Sequence, residues 1–123
     1  MTLEYLIFDY CEDEHGIGNW DAMASVSEER VPAMATEIEQ VLRWASQEFP
    51  GSQYGLDDGG DWDYDLQVLT EGGQPLPASF DSGSGKLLLA PPPAGRTTAT
   101  LSLAGSTQFF AAFTTWLSEN QEN

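Results

Sequence analysis

Positive charge is scarce in this chain. Against 20 Asp and Glu residues stand only 4 Lys and Arg, a formal net charge of -16. Direct binding to DNA, RNA or an anionic lipid surface is therefore disfavoured, because each would bring further negative charge to a negative surface. Lys86, Arg30, Arg43 and Arg96 are spread along the chain and form no cluster that would hold phosphates or a transferring phosphoryl group. Gly83-Ser84-Gly85-Lys86 has the ending of a phosphate-binding loop, but position 80 is Phe and position 87 is Leu, where that loop needs Gly and Ser or Thr.

Cysteine and histidine are scarcer still, with one of each, Cys11 and His15. A lone cysteine excludes an intrachain disulfide and with it a disulfide-stapled secreted scaffold, so a reducing compartment fits best. The pair is also too few for a structural zinc shell. As a thiol and its base, Cys11 and His15 are poorly placed, because the acids between them disfavour the thiolate. Long apolar runs are missing too: nothing approaches the roughly 18 residues that cross a bilayer. The Met1-Thr2-Leu3-Glu4 start has no basic leader segment, and a cytoplasmic, unanchored protein is expected.

What is present supports a packed core. Hydrophobic residues make up 41% of 123 positions, with 4 Trp, 4 Tyr and 6 Phe, far above a disordered acidic tail. A chain of this size supports one core, so residues 1–123 are expected to form a single acidic α+β domain.

Leu3 to Cys11 reads as a strand, apolar on both faces and therefore expected at the centre of a sheet. Glu12 to Gly18 reads as a hairpin loop, with a return strand over Asn19 to Val26. Met34, Ile38, Val41, Leu42, Ala45 and Phe49 recur at helical spacing, with Glu37, Glu39, Arg43 and Glu48 off that stripe. The spacing predicts an amphipathic helix from Pro32 to Phe49, ended by Pro50-Gly51. Trp44 lies off the main stripe and either widens the buried face or offers an aromatic anchor to a partner.

Trp62 to Val68 alternates strictly between apolar and polar residues, as a half-buried strand does. Short strands are predicted over Ala78 to Asp81 and Lys86 to Ala90, and another over Thr97 to Leu103, before a Ser-capped helix carrying Phe109, Phe110, Phe113, Trp116 and Leu117. The expected order is β-β-α-β-β-β-β-α, a mostly antiparallel sheet of about five to six strands with two helices.

The acidity is uneven. Residues 1–65 hold 16 acids against Arg30 and Arg43, a net of -14, while residues 66–123 hold 4 acids against Lys86 and Arg96, a net of -2. Two segments concentrate it: Glu12-Asp13-Glu14, ahead of His15, and Asp57 to Asp65, with Asp57, Asp58, Asp61, Asp63 and Asp65. Asp61, Asp63 and Asp65 share one face of the predicted strand. Such oxygens suit a hard cation, but an EF-hand loop counted from Asp61 would need Gly at position 66 and Glu at position 72, where Leu and Gly stand. Nor is a cation required, since carboxylates about 7 Å apart in saline water repel by roughly 0.3 kcal/mol per pair.

These observations favour a protein-binding module for a basic protein partner, with Glu12, Asp13, Glu14, Asp57, Asp58, Asp61, Asp63 and Asp65 as the contact residues. No cofactor and no catalytic set is expected. In composition the chain is similar to bacterial immunity proteins, which are small, acidic and cytosolic and neutralise basic nuclease toxins, so an inhibitor or immunity-type role is one form of this expectation. Three alternatives stay open: a nucleic-acid mimic occupying the basic groove of a DNA-binding protein, a domain binding Ca²⁺ or Mg²⁺ through its acidic loops, and acidity that serves only solubility, with Asp61, Asp63 and Asp65 forming a solvated outer face.

Overall fold

A computed structural model of the chain describes residues 3–12, 14, 18–49, 62–81 and 83–120. Its elements follow the expected order. β1 (Asp9–Glu12) and β2 (Gly18–Ser27) form a hairpin, and a 3-10 turn (Glu28–Arg30) leads into α1 (Val31–Glu48). β3 (Trp62–Leu69), β4 (Ala78–Asp81), β5 (Lys86–Leu89) and β6 (Arg96–Gly105) then precede α2 (Thr107–Asn120). β1, β2, β6 and β3 lie in that order in one antiparallel sheet, and β4 and β5 form a separate two-stranded hairpin.

Period-two alternation decides which face of the large sheet meets the helices. Trp20, Ala22, Ala24 and Val26 of β2 point into the core together with Thr97, Ala99, Leu101 and Leu103 of β6. Small alanines at the sheet centre let α1 lie close against β2, where it buries Met34, Ile38, Val41, Leu42 and Ala45. α2 adds Phe109, Phe113 and Leu117.

Gly18 and Gly105 face each other at the end of the β2–β6 ladder. Rings of α2 occupy the space where their side chains would be: a Cβ on Gly105 would come within 2.1 Å of Phe109, and one on Gly18 within 2.1 Å of Phe110. The Ser106 hydroxyl caps α2 by accepting from the Phe109 N–H at 3.3 Å. Trp44 is half-buried and stacks on Trp116 with ring centroids 5.5 Å apart. It thus widens the buried face of α1 and is not an exposed anchor.

Two expectations are corrected. The strand read over Leu3 to Cys11 is confined to Asp9–Glu12 and lies at the edge of the sheet, while the long central strands are β2 and β6. Residues 3–8 run irregularly over the core and bury Leu3, Leu6 and Phe8. Glu37, expected off the apolar stripe of α1, is instead only 2% exposed. Its carboxylate accepts the N–H groups of Glu4 at 2.8 Å and of Tyr5 and Leu6 at 3.0 Å each. One side chain therefore satisfies three backbone donors that irregular chain cannot pair with itself.

α1 holds a second piece of backbone in the same way. Glu39 accepts from the Leu87 N–H at 2.9 Å and from the Arg43 guanidinium at 2.6 Å, while Arg43 Nε donates to the Gly85 carbonyl at 3.1 Å. The β4–β5 hairpin is thus clamped onto the helix by an ion pair whose free valences point at main chain. Among the described residues no helix is long and apolar enough to cross a membrane.

Removing the Glu37 carboxylate leaves three N–H groups at the core without an acceptor. Glu37→Ala is expected to lower unfolding free energy by about 3 to 5 kcal/mol, and Glu37→Gln, which keeps one acceptor oxygen, by about half of that. Urea denaturation measures both, and a loss under about 0.5 kcal/mol for the alanine variant would contradict this role.

Candidate functional site

The face of the large sheet turned away from the helices carries the second half of each alternation. β2 contributes Asn19, Asp21, Met23 and Ser25, and β6 contributes Thr98, Thr100, Ser102 and Ala104. β3 contributes Asp63, Asp65, Gln67 and Leu69, and β1 contributes Asp9 and Cys11. Asp9, Cys11, Asp21, Met23, Ser25, Asp63, Asp65 and Gln67 are all exposed, so no described element covers this face.

Register sorts these side chains into rows across the strands. One row reads Asp9, Asp21, Ser102, Asp65, and the next reads Cys11, Asn19, Ala104, Asp63. Four carboxylates thus meet at one end of the face, although they come from three strands and from sequence positions as distant as 9 and 65. The short side chains of Ser102 and Ala104 leave a shallow groove of about 170 Å³ along β6, flanked by Asn19 and Asp21 on one side and by Asp63 and Asp65 on the other. Adjacent strands lie about 4.8 Å apart, so Asp21 and Asp65 face one another across a strip roughly 10 Å wide. Ser102 donates to the Asp21 carboxylate at 2.7 Å and fixes it at the groove wall.

The acidic residues expected to make contact fall into three groups. Asp63 and Asp65 stand on the open face as the alternation predicts. Glu12 ends β1 in the same row as Gly18, Gly105 and Trp62, and Glu14 is exposed in the turn that follows. Asp13, Asp57, Asp58 and Asp61 lie outside the described residues. The row of Glu12 and Trp62 shows that the described parts of both acidic segments reach the same end of the sheet, three strands apart.

Asp9 and Asp21 belong to this site and escaped the sequence reading. The signal for Asp21 was there: Asn19, Asp21, Met23 and Ser25 alternate with Trp20, Ala22, Ala24 and Val26. Asp9 lies in a segment whose apolar pattern predicts a buried central strand, and its exposure follows only from the edge position of β1.

The face is chemically simple. It offers exposed carboxylates, hydroxyls and one exposed thiol, Cys11. Among the described residues no three His, Cys, Asp or Glu side chains are arranged to hold a metal ion. At the margin, on the core side of β3, Tyr64 stacks on Trp62 at 5.9 Å and meets Phe80 edge-on at 6.5 Å. Burial, and after it the charge of Asp63, pushes the Tyr64 hydroxyl above the ordinary tyrosine value of 10.0. The folded state then keeps this proton to higher pH than the unfolded chain. Its contribution to stability is complete below pH 10.0 and is lost as the pH rises through the raised folded value.

Searches against protein-family models, curated proteins and solved structures find no match to this chain.

Because burial is the larger cause, Asp63→Asn is expected to lower the Tyr64 pKa while leaving it above 10.0. The pH dependence of the Tyr64 ring Cζ chemical shift in ¹³C-tyrosine-labelled samples of the two proteins, with Tyr64 assigned by a Tyr64→Phe variant, reads this site by site. A Tyr64 pKa at or below the ordinary value in the variant would show that Asp63, not burial, sets it.

Proposed function

We propose that this chain is a binding module for a basic protein, of an inhibitor or immunity type, and that it engages its partner through the open face of the β1-β2-β6-β3 sheet. The supporting observation is the convergence of Asp9, Asp21, Asp63 and Asp65 at one end of a face that no described element covers. Negative potential gathered this way steers a positive surface into encounter and suppresses wrong partners. With its carboxylates open to solvent on a flat sheet, the face suits binding better than acid-base catalysis, which calls for a carboxyl in a concave and desolvated setting. An exposed free thiol at Cys11 suits a reducing compartment, and we place the protein in the cytoplasm on that ground.

The arrangement favours this reading over a nucleic-acid mimic. The four described carboxylates occupy two adjacent rows, an area of roughly 15 by 7 Å, whereas a duplex backbone presents charge as a long continuous track.

An affinity capture with the whole protein at low salt tests the proposal. A basic protein is expected to be captured, with an association rate that falls about tenfold or more between low and physiological salt. Reversing Asp21, Asp63 and Asp65 to Lys is expected to abolish capture. Reversing Glu28 and Glu29, exposed on the 3-10 turn at the far end of the sheet, is expected to leave it intact. A salt-insensitive rate, or equal losses from both sets of reversals, would refute the assignment of this face.

A further inference from the structure

The open face is graded along its strands. Beyond the acidic rows comes the row Met23, Thr100, Gln67, then Ser25, Thr98, Leu69, and at the far end Arg96, which hydrogen-bonds to Ser25. Met23 is 67% exposed at the middle of β2. Ile7, 63% exposed, lies two residues before β1 in the irregular segment. Met23 therefore stands in water in the row next to Asp21, among small or polar neighbours.

We propose that the occupant of this face is an amphipathic basic segment of a partner protein, seating an apolar side chain on Met23 and directing lysines or arginines to Asp9, Asp21 and Asp65. This rests on the reading of the acidic face as the binding surface and adds the chemistry of what binds there. Exposed ion pairs in saline contribute only about 0.2 to 1 kcal/mol each, so carboxylates alone guide a partner in without holding it. Apolar contact beside the acidic rows excludes water from the nearest charges, which is how a few well-packed residues come to dominate an interface. Methionine suits this position, because its unbranched side chain adapts to the group it meets.

The spacing fits one turn of a helix. Asp21 and Met23 are two residues apart on a strand, about 6.8 Å, and helical side chains three or four residues apart stand about 5 to 6 Å from one another. Charge decides against a second copy of this chain as the occupant. Two such faces brought together would set eight carboxylates against two Arg96 side chains, twice the four and one on each.

The test uses the whole ¹⁵N-labelled protein and two synthetic helical peptides of equal length and charge. One carries an apolar stripe of leucines between its lysines, and the other has serine at each leucine position. The leucine peptide is expected to bind at least tenfold more tightly, and its titration is expected to shift the amides of residues 19–25, 63–67 and 98–104. Met23→Ser, a substitution at an exposed position, is expected to abolish the difference between peptides while leaving the salt-dependent binding of both. Equal affinities for the unaltered protein would overturn the amphipathic requirement and leave the acidic-face reading standing. Shifts of both peptides confined to other residues would overturn both. A concentration-dependent dimer in sedimentation, lost in Met23→Ser, would overturn the partner assignment in favour of a second copy.

Discussion

The Glu37 carboxylate organises the N-terminal third of this molecule. Residues 3–8 form neither helix nor strand, and such chain is normally kept at the surface, where water satisfies its amides. Here a single buried acceptor on α1 takes three of them, and the Leu3 N–H donates to the Asn120 carbonyl at the end of α2. Leu6 and Phe8 enter the core as a consequence, the latter edge-on to Phe113 at 5.4 Å. The chain then emerges at Asp9 in line with β2. Pinning the segment to α1 holds the chain that leads into β1 beside the sheet edge, where the β1–β2 ladder sets Asp9 next to Asp21.

The same residue type is used in two opposite ways. Glu37 and Glu39 point inward and bind main-chain N–H groups, and in the β4–β5 turn Asp81 accepts from the Gly83 N–H and the Ser84 hydroxyl. Asp9, Asp21, Asp63 and Asp65 point outward to solvent, with Ser102 and Ala104 between Asp21 and the β3 aspartates. A net charge of -16 therefore overstates what a partner sees, and the direction of each side chain matters more than the sum. Ser102 and Ala104 are as important to the outer face as the acids are, because larger side chains there would fill the groove between Asp21 and Asp65.

Local pattern made much of the fold legible. α1 follows from an apolar period of 3.6 and β3 from an apolar period of two, and both are found within a residue or two of the expected bounds. The glycine-rich stretch 83–85 and the Gly105-Ser106 pair mark a hairpin turn and a helix start for local steric reasons. What local pattern could not reveal depends on distant partners. Glu37 looks like any helical glutamate until the amides 31 to 33 residues before it are known to need an acceptor. The segment Leu3–Phe8 is apolar enough for a central strand, yet it satisfies its hydrogen bonds through a side chain instead of a ladder. The candidate site was half legible: Asp63 and Asp65 advertise a solvated strand face, whereas Asp9 and Asp21 join them only through the pairings of β1 with β2 and of β2 with β6.

The sheet face opposite the helices is the surface we propose a basic partner covers. Carbodiimide footprinting of carboxylates in the free protein and in its complex with a captured basic partner tests it most directly. Asp9, Asp21, Asp63 and Asp65 are predicted to lose reactivity on binding while Glu28, Glu29 and Glu119 keep theirs. Unchanged labelling of the four aspartates in a complex, with protection elsewhere on the molecule, would contradict it.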